Sequence, residues 1–303
     1  MSARLPAMWL VFALAAPAFF GATNVFGSLF MNRYERHPIV YLFYEGILMW
    51  IPLLLLPLFV DVRSSWMGMM LLATFVAYIG ELFYFYVLGR IDVSVVNACW
   101  AVLTILVSIG GYLLFAERWS LLQTIGASLI LSGVFFLSYW HRHVSVLRTM
   151  CLFFAVGIFF LPMILVQKAA LEQGAGVLSV TYWSIAGRNI PNVIVPLFRA
   201  EWREGVLSLY RRTGVDFLLL VSSSILVWFL GVYCSVYAFE LGYISLVQTV
   251  GNVQPFFVMF FAWLVVRFTP TYAPRELLTA QSVSVKLTSF AIVFLGLALL
   301  AAS

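Results

Sequence analysis

The chain has 303 residues, of which 64% are hydrophobic and 10% charged, and its mean hydropathy is +1.04. Soluble domains carry about 45–50% apolar and about 25% charged residues, so too few polar side chains are present here to cover a water-facing surface. This composition excludes a soluble enzyme, a nucleic-acid-binding protein and a disordered scaffold. The apolar residues suffice for about ten membrane helices of about 20 residues each, which leaves no sequence for a soluble domain.

Ten continuously apolar runs predict ten transmembrane helices, because barrel strands would instead alternate between apolar and polar residues. The runs cover residues 8–30, 38–60, 66–89, 94–115, 120–140, 149–168, 177–198, 215–239, 244–266 and 282–302. The first run is too long for a cleavable signal peptide. The longest link, residues 199–215, contains two glutamates and several arginines, and we expect it to form a short amphipathic helix on the membrane surface.

The two halves of the chain resemble each other at three places in the same order. The clearest pair is Pro52 followed by Pro57-Leu58-Phe59, and Pro191 followed by Pro196-Leu197-Phe198. A repeat of five crossings ends on the opposite side of the membrane, so the second repeat must be inverted. We therefore predict two inverted five-helix repeats, residues 1–143 and 144–303, which is a pattern typical of transporters. Pro52 and Pro191 are the predicted hinges, because proline removes a backbone hydrogen bond.

Several motifs resemble those of a known family. The segment Ala116-Glu117-Arg118-Trp119 and the glycines Gly126 and Gly133 after it resemble a "gE-r…G…G" stretch, and Gly21 resembles a first-helix "wG-x-x-f" pattern. The chain thereby resembles EamA-type members of the drug/metabolite transporter superfamily, which have two five-helix repeats. It departs from them at Glu45, where the family often has arginine, and at Lys286 and Ser289 of the tenth run. The resemblance implies a transporter of small metabolites.

Three ionisable residues lie well inside the predicted spans: Glu45, Glu81 and Arg188. A charged side chain at the centre of a membrane helix costs about 2.5–3.5 kcal/mol on insertion scales, so each one requires a partner or a function. Three others lie near span ends, where side chains reach the interface: Lys168, Glu240 and Lys286.

Glu45 and Glu81 are predicted to lie at the same depth, roughly 10–12 Å from one membrane face at 1.5 Å per residue. Two carboxylates at one depth are candidates for proton coupling, because their like charges favour a shared proton. The alternative is that each carboxylate only makes a buried hydrogen bond to a helix backbone or a tyrosine.

Polar side chains recur at helical spacing on several spans, which places them on single helix faces. Ser184, Arg188 and Asn192 form one such stripe near the middle of the seventh run. Facing stripes predict a polar cavity inside the helix bundle. The predicted substrate-binding residues are Asn24, Glu45, Tyr78, Glu81, Asn97, Trp100, Ser184, Arg188 and Asn252. Gly126 and Gly133 are expected at close contacts between helices.

A buried guanidinium needs an anion, so Arg188 must meet either a substrate carboxylate or one of Glu45 and Glu81. We favour the substrate, because the repeat counterpart of Arg188 is Met49 and symmetry alone does not require a charge there.

No catalytic, nucleotide-binding or metal-binding motif is present, and the three cysteines stand alone in apolar runs, so we expect neither an enzyme nor a cofactor or metal site.

The sequence predicts a secondary transporter of a small polar or zwitterionic metabolite such as an amino acid, a metallophore or an amine. By family analogy it exports this metabolite across a bacterial-type inner membrane. Its expected partners are the substrate, the bilayer and protons, and it acts as a monomer or weak dimer. A lipid or lipid-linked-sugar flippase is the first alternative and a membrane-embedded enzyme the second.

The basic residues are distributed unevenly between the two sides of the membrane. Loops on the side of the N terminus contain four of them, and the opposite loops contain eleven arginines. The positive-inside rule therefore places both termini outside the cytoplasm. The EamA resemblance implies cytoplasmic termini instead, and we favour the charge distribution because all the loops are short.

Overall fold

The computed structural model describes residues 5–34, 37–88, 100–140, 146–268 and 280–302. All regular structure in these ranges is helical, which confirms the predicted all-helical class. The helices, numbered in chain order, are α1 (Leu5–Arg33), α2 (Pro38–Leu55), α3 (Met67–Leu88), α4 (Ala101–Phe115), α5 (Leu121–Trp140), α6 (Val146–Glu172), α7 (Val177–Ile194), α8 (Ala200–Arg212), α9 (Val215–Leu241), α10 (Ile244–Gly251), α11 (Gln254–Phe268) and α12 (Ala280–Ala301). The predicted repeat boundary at residues 143 and 144 lies outside the described residues.

Six helical segments among the described residues are long and apolar enough to cross a membrane, and the chain is therefore a multi-pass membrane protein. They are Met8–Met31, Pro38–Leu58, Met67–Val87, Phe154–Glu172, Asp216–Leu241 and Ile244–Phe268. Three shorter helices are also apolar: Ala101–Phe115, Leu121–Phe136 and Leu287–Ala301. α7 is more polar than these, because Arg188, Asn189 and Asn192 lie in its second half.

The predicted ninth span is not one continuous helix. α10 ends at Gly251 and α11 begins at Gln254, with a turn at Asn252 and Val253. Pro255 explains the break, since a proline lacks the N–H group that would bond to the carbonyl of Gly251. The break leaves polar backbone in the interior of the bundle.

The link after α7 does form an amphipathic helix, α8, as predicted. Its Leu209 is buried against the protein, whereas Leu207 and Tyr210 are exposed. The hydroxyl of Tyr44 on α2 donates a hydrogen bond to the carbonyl of Val206, at 2.7 Å, and thereby fixes α8 across one end of the bundle.

Helices from the two halves of the chain interlock. α1 packs on α9, α3 packs on α6 and α7, α2 packs on α7, and α5 packs on α12. At the α5–α12 crossing the two backbones come close together, since a Cβ atom on Gly126 would lie 2.8 Å from the carbonyl oxygen of Gly296. A Cβ on Gly133 would lie 2.9 Å from the carbonyl oxygen of Ser289. Small residues therefore allow backbone approach here, as expected from the sequence.

Pro52 and Pro191 occupy equivalent places at the ends of α2 and α7. Each of these helices continues directly into a 3-10 turn, Leu56–Leu58 after α2 and Val195–Phe198 after α7. Each proline leaves the carbonyl four residues earlier without its helical partner. The hinge function of the two prolines stays a prediction.

Candidate functional site

A cavity of about 220 Å³ lies between α1–α4, α6, α7 and α9–α11. Its walls carry two acidic groups, one basic group, several amides and seven aromatic rings. The charged and amide residues are Asn24, Glu45, Glu81, Gln167, Arg188, Gln248, Asn252 and Gln254. The aromatic residues are Phe20, Tyr84, Phe85, Trp100, Phe160, Trp228 and Phe239.

Arg188 on α7 is held by carboxylates from two other helices. Its Nε donates to both carboxylate oxygens of Glu81 on α3, at 2.7 and 2.8 Å, and its Nη2 donates to Glu45 Oε2 on α2 at 2.8 Å. Nη2 also donates to Glu81 Oε1. All three side chains are buried. The guanidinium therefore makes charge-assisted hydrogen bonds with a fork-like geometry.

This arrangement corrects the expectation that a substrate carboxylate neutralises Arg188. The protein supplies the anions itself, because α2 and α3 both pack on α7 and bring their acids to the depth of Arg188. In the first predicted repeat, Met49 stands where the second repeat has Arg188, and this uncharged counterpart had suggested that the substrate neutralises Arg188. The sequence did not show which acids α7 would face.

The ion cluster contains one cation and two acids. Glu45 Oε1 also accepts a hydrogen bond from the hydroxyl of Tyr41 at 2.8 Å. The flat face of the Arg188 guanidinium lies over the ring of Trp228, with Cζ 3.9 Å from the ring centroid. Among the described cavity-lining residues, Glu45, Glu81 and Arg188 are the only acidic or basic side chains. With both acids ionised, the cavity carries one net negative charge.

A second set of polar residues, all of them uncharged, faces the cavity from α6, α7 and the end of α10. Gln167 donates from Nε2 to the hydroxyl of Ser184 at 2.9 Å. Asn252, at the break between α10 and α11, donates from Nδ2 to Thr104 Oγ1 at 2.9 Å and to the carbonyl of Thr249 at 3.2 Å. These amides are uncharged and present both donors and acceptors.

Aromatic rings form the apolar part of the wall. Trp100 lies at the start of α4 with its ring centroid 4.9 Å from that of Phe160 and 5.3 Å from that of Tyr84. Such ring faces attract an organic cation within about 6 Å of their centroids. The cavity thus combines acidic groups with aromatic surface.

Seven of the nine predicted binding residues line this cavity: Asn24, Glu45, Glu81, Trp100, Ser184, Arg188 and Asn252. Tyr78 is buried but does not line it, because the cavity-facing side of α3 carries Ala77, Glu81 and Tyr84 instead. Asn97 lies outside the described residues. The binding roles of all nine residues stay predictions.

Phe160, Gln167 and Trp228 line the cavity without having been predicted to do so. For α6 a signal was present, since Phe160, Ile164 and Gln167 follow helical spacing and place one amide on an apolar face. Trp228 gave no such signal, because aromatic residues occur along many faces of α9.

Lys168 lies one turn before the end of α6, as expected for a residue near a span end, and its side chain is buried. Its Nζ donates to the carbonyls of Phe239 at 2.8 Å and Gly242 at 3.1 Å and lies 3.5 Å from Oε1 of the exposed Glu172. Both carbonyls belong to the C-terminal end of α9, where the helix dipole favours a cation. Glu240 is exposed, as expected near a span end. The side chain of Lys286 lies outside the described residues.

Within the part of the chain that the structure describes, no group of three His, Cys, Asp or Glu side chains could hold a metal ion. A buried polar cavity between interlocked apolar helices is the kind of site that a membrane transporter presents.

Comparison with known proteins supports this class. The EamA-like transporter family matches residues 7–139, which confirms the predicted resemblance to EamA-type transporters of the drug/metabolite transporter superfamily. No curated protein sequence matches the chain. Of 27 matching chains of solved structures, one titled "Crystal structure of protein" superposes with a TM-score of 0.65, at 12% identity, over 96% of this chain and 94% of that chain. At this identity the likeness shows the fold alone.

Proposed function

We propose that the protein is a secondary transporter of a small polar metabolite that carries an amine. The observation that carries this proposal is the composition of the cavity wall, in which two carboxylates share one guanidinium. A cationic amine balances the remaining negative charge. A substrate carboxylate has no free basic side chain to bind among the described lining residues, since Arg188 is already held on two sides.

The aromatic wall favours the same ligand. Trp100, Phe160 and Trp228 offer ring faces to an organic cation, and the amides of Gln167 and Asn252 can accept or donate hydrogen bonds to its polar groups. Amines and amino-acid derivatives with a dominant positive charge fit this chemistry better than anions. Because two acids already engage Arg188, this residue offers no free charge to the anionic headgroup that a lipid flippase would bind.

The mechanism that we propose is alternating access by ten transmembrane helices in two inverted repeats, residues 1–143 and 144–303. The pairing of the helices supports this mechanism. When each helix is replaced by its counterpart in the other repeat, one set of observed helix contacts becomes another observed set. The contact of α1 with α9 corresponds to that of α6 with α3, and the contact of α4 with α6 corresponds to that of α1 with α10 and α11. The α2–α7 and α5–α12 contacts map onto themselves.

An ion gradient, exchange or the substrate gradient supplies the energy, since the sequence has no nucleotide-binding motif. Glu45 and Glu81 are the proton-coupling candidates, because a carboxylate in a membrane span can release its proton when a cationic substrate binds. Export across the inner membrane is proposed by family analogy alone.

A charge series tests the substrate class. Purified protein is heated with the amine, amino-acid and carboxylic-acid forms of three scaffolds, phenyl, indolyl and butyl, and the rise in Tm is measured for each. We expect the amine forms to stabilise most and the acid forms least. Glu81→Gln should abolish the preference, while Glu240→Gln, which removes an exposed acid from α9, should keep it. Equal stabilisation by acids and amines would contradict the proposed substrate class.

Transport tests the coupling. Uptake of the best amine into proteoliposomes is measured with and without a pH gradient for the parent, Glu45→Gln and Glu81→Gln. We expect at least one variant to lose the gradient dependence. If both variants respond to the gradient like the parent, neither acid couples transport to protons.

A further inference from the structure

A third buried acid, Glu117, lies outside the cavity and contacts a cavity-forming helix from another part of the chain. It stands in the loop between α4 and α5, and its side chain is 4% exposed. Glu117 Oε1 accepts the backbone N–H of Ile244 at 2.7 Å, and Oε2 accepts that of Ser245 at 3.2 Å. Oε2 also accepts the hydroxyl proton of Ser245.

These contacts cap the first turn of α10. The residue before the helix, Tyr243, makes no side-chain cap, so Glu117 supplies from a distant loop the acceptors that helix N-termini require. A carboxylate at this position also complements the positive end of the helix dipole. Trp119 strengthens the contact, since its indole N–H donates to Ser245 Oγ at 2.9 Å.

α10 carries part of the cavity wall. Val247 and Gln248 line the cavity from α10, and Asn252 lines it at the turn that follows. Glu117 belongs to the first predicted repeat and α10 to the second. The Glu117 contact therefore joins the two halves next to the substrate cavity.

Lys168 holds the same α9–α10 turn from the other side but within the second half alone. Its ammonium binds the carbonyl of Phe239, in the last turn of α9, and that of Gly242, directly after the helix. Gly242 in turn lies against Trp9 of α1, because a Cβ atom on it would be 3.3 Å from that side chain. We call the end of the bundle that contains Trp9, Glu117 and Gly242 the Trp9 face.

We propose that Glu117 is a positioning residue that closes the cavity toward the Trp9 face by holding α10 of the second half against the first half. When the cavity opens on this face, the bonds from Glu117 to Ile244 and Ser245 break, whereas those from Lys168 to α9 persist. The proposal rests on the alternating-access part of the proposed function, but it does not depend on which metabolite is carried.

Thiol labelling tests this role without any substrate. Ser235 lines the cavity on α9, so Ser235→Cys is introduced after replacing Cys99, Cys151 and Cys234 by serine. The rate of labelling by an impermeant maleimide is measured in sealed vesicles of both orientations, to separate the Trp9 face from the opposite one. We expect Glu117→Gln to raise the rate from the Trp9 face about tenfold, because an amide has one acceptor oxygen instead of two and no charge.

Lys168→Met is the matched control, since it frees the same turn from within one half. It should lower Tm and leave the labelling rate unchanged.

Should Glu117→Gln fail to fold, Ser245→Ala combined with Trp119→Phe removes two of the side-chain bonds and is expected to raise the rate at least threefold. Labelling at the parent rate in the folded variants overturns the proposal, as does an equal rise in Lys168→Met. A protein that shows the rise but transports no amine keeps this role for Glu117 and loses the proposed substrate class.

Discussion

Arg188 is buried between Glu45 and Glu81, so replacing Arg188 leaves two uncompensated acids in an interior of low dielectric constant, whereas neutralising one acid leaves a balanced ion pair. Buried ion pairs add little net stability, because desolvation offsets their attraction, but breaking one is strongly destabilising. The cluster is therefore more sensitive to the loss of Arg188 than to the neutralisation of one acid.

We expect Arg188→Ala to lower the free energy of unfolding by about 3–5 kcal/mol, since it strands two buried acids. The double variant Arg188→Ala with Glu81→Gln should recover part of this loss, because one stranded charge has been neutralised. Thermal unfolding of the purified variants in detergent measures both effects. An Arg188→Ala protein as stable as the parent would show that the cluster is not a structural ion pair.

The sequence predicted which residues of the cluster matter but not how they pair. Helical spacing put Ser184, Arg188 and Asn192 on one face, and the cost of a charge in a membrane singled out the two acids. The pairing depends on how α2, α3 and α7 rotate against each other. A single sequence contains no information on that rotation.

At the scale of helices, the α5–α12 crossing depends on two glycines that face each other. A Cβ on Gly126 would lie 2.8 Å from the carbonyl oxygen of Gly296, and one on Gly296 would lie 2.6 Å from that of Gly126. Both contacts are to backbone, which cannot rotate away as a side chain can.

We expect Gly126→Ala to destabilise the protein by about 1–3 kcal/mol, which is the usual effect of overpacking. Gly68→Ala is the matched control, because a Cβ there meets no atom within 4 Å. It should be neutral or slightly stabilising, since alanine favours a helix over glycine. Both are measured by thermal unfolding, and an equal response of the two variants would argue against a close α5–α12 contact.

Helix positions followed well from hydropathy, whereas the interruption between α10 and α11 did not. Pro255 was visible in the sequence, but proline also occurs inside α1, at Pro17, and inside α6, at Pro162, without ending either helix. The difference lies in tertiary contacts. Asn252 is held at the break by Thr104 of α4, and this contact stabilises the turn.

At the scale of the whole molecule, the side of the membrane on which α8 lies stays a prediction. α8 and the arginine beside it contain four arginines, Arg199, Arg203, Arg211 and Arg212, against two glutamates. Positive loops are retained in the cytoplasm, so we expect α8 on that side and both termini outside.

Single cysteines at position 2 and at Ser208, which is exposed on α8, decide the orientation. In intact cells an impermeant thiol reagent should label the first and not the second. Labelling of Ser208→Cys alone would establish the opposite orientation, the one that the family resemblance implies.

The described residues of α5 and α12 contribute nothing to the cavity wall. These two helices pack chiefly on each other. α5 also contacts α4 and α10, and Phe290 of α12 contacts Phe256 of α11. The cavity wall and its lateral support are thus encoded in separate parts of the chain. For protein engineering this means that the α5–α12 pair can be redesigned, for example to carry a fusion partner or a rigid antibody epitope, while the residues that line the cavity are left unchanged.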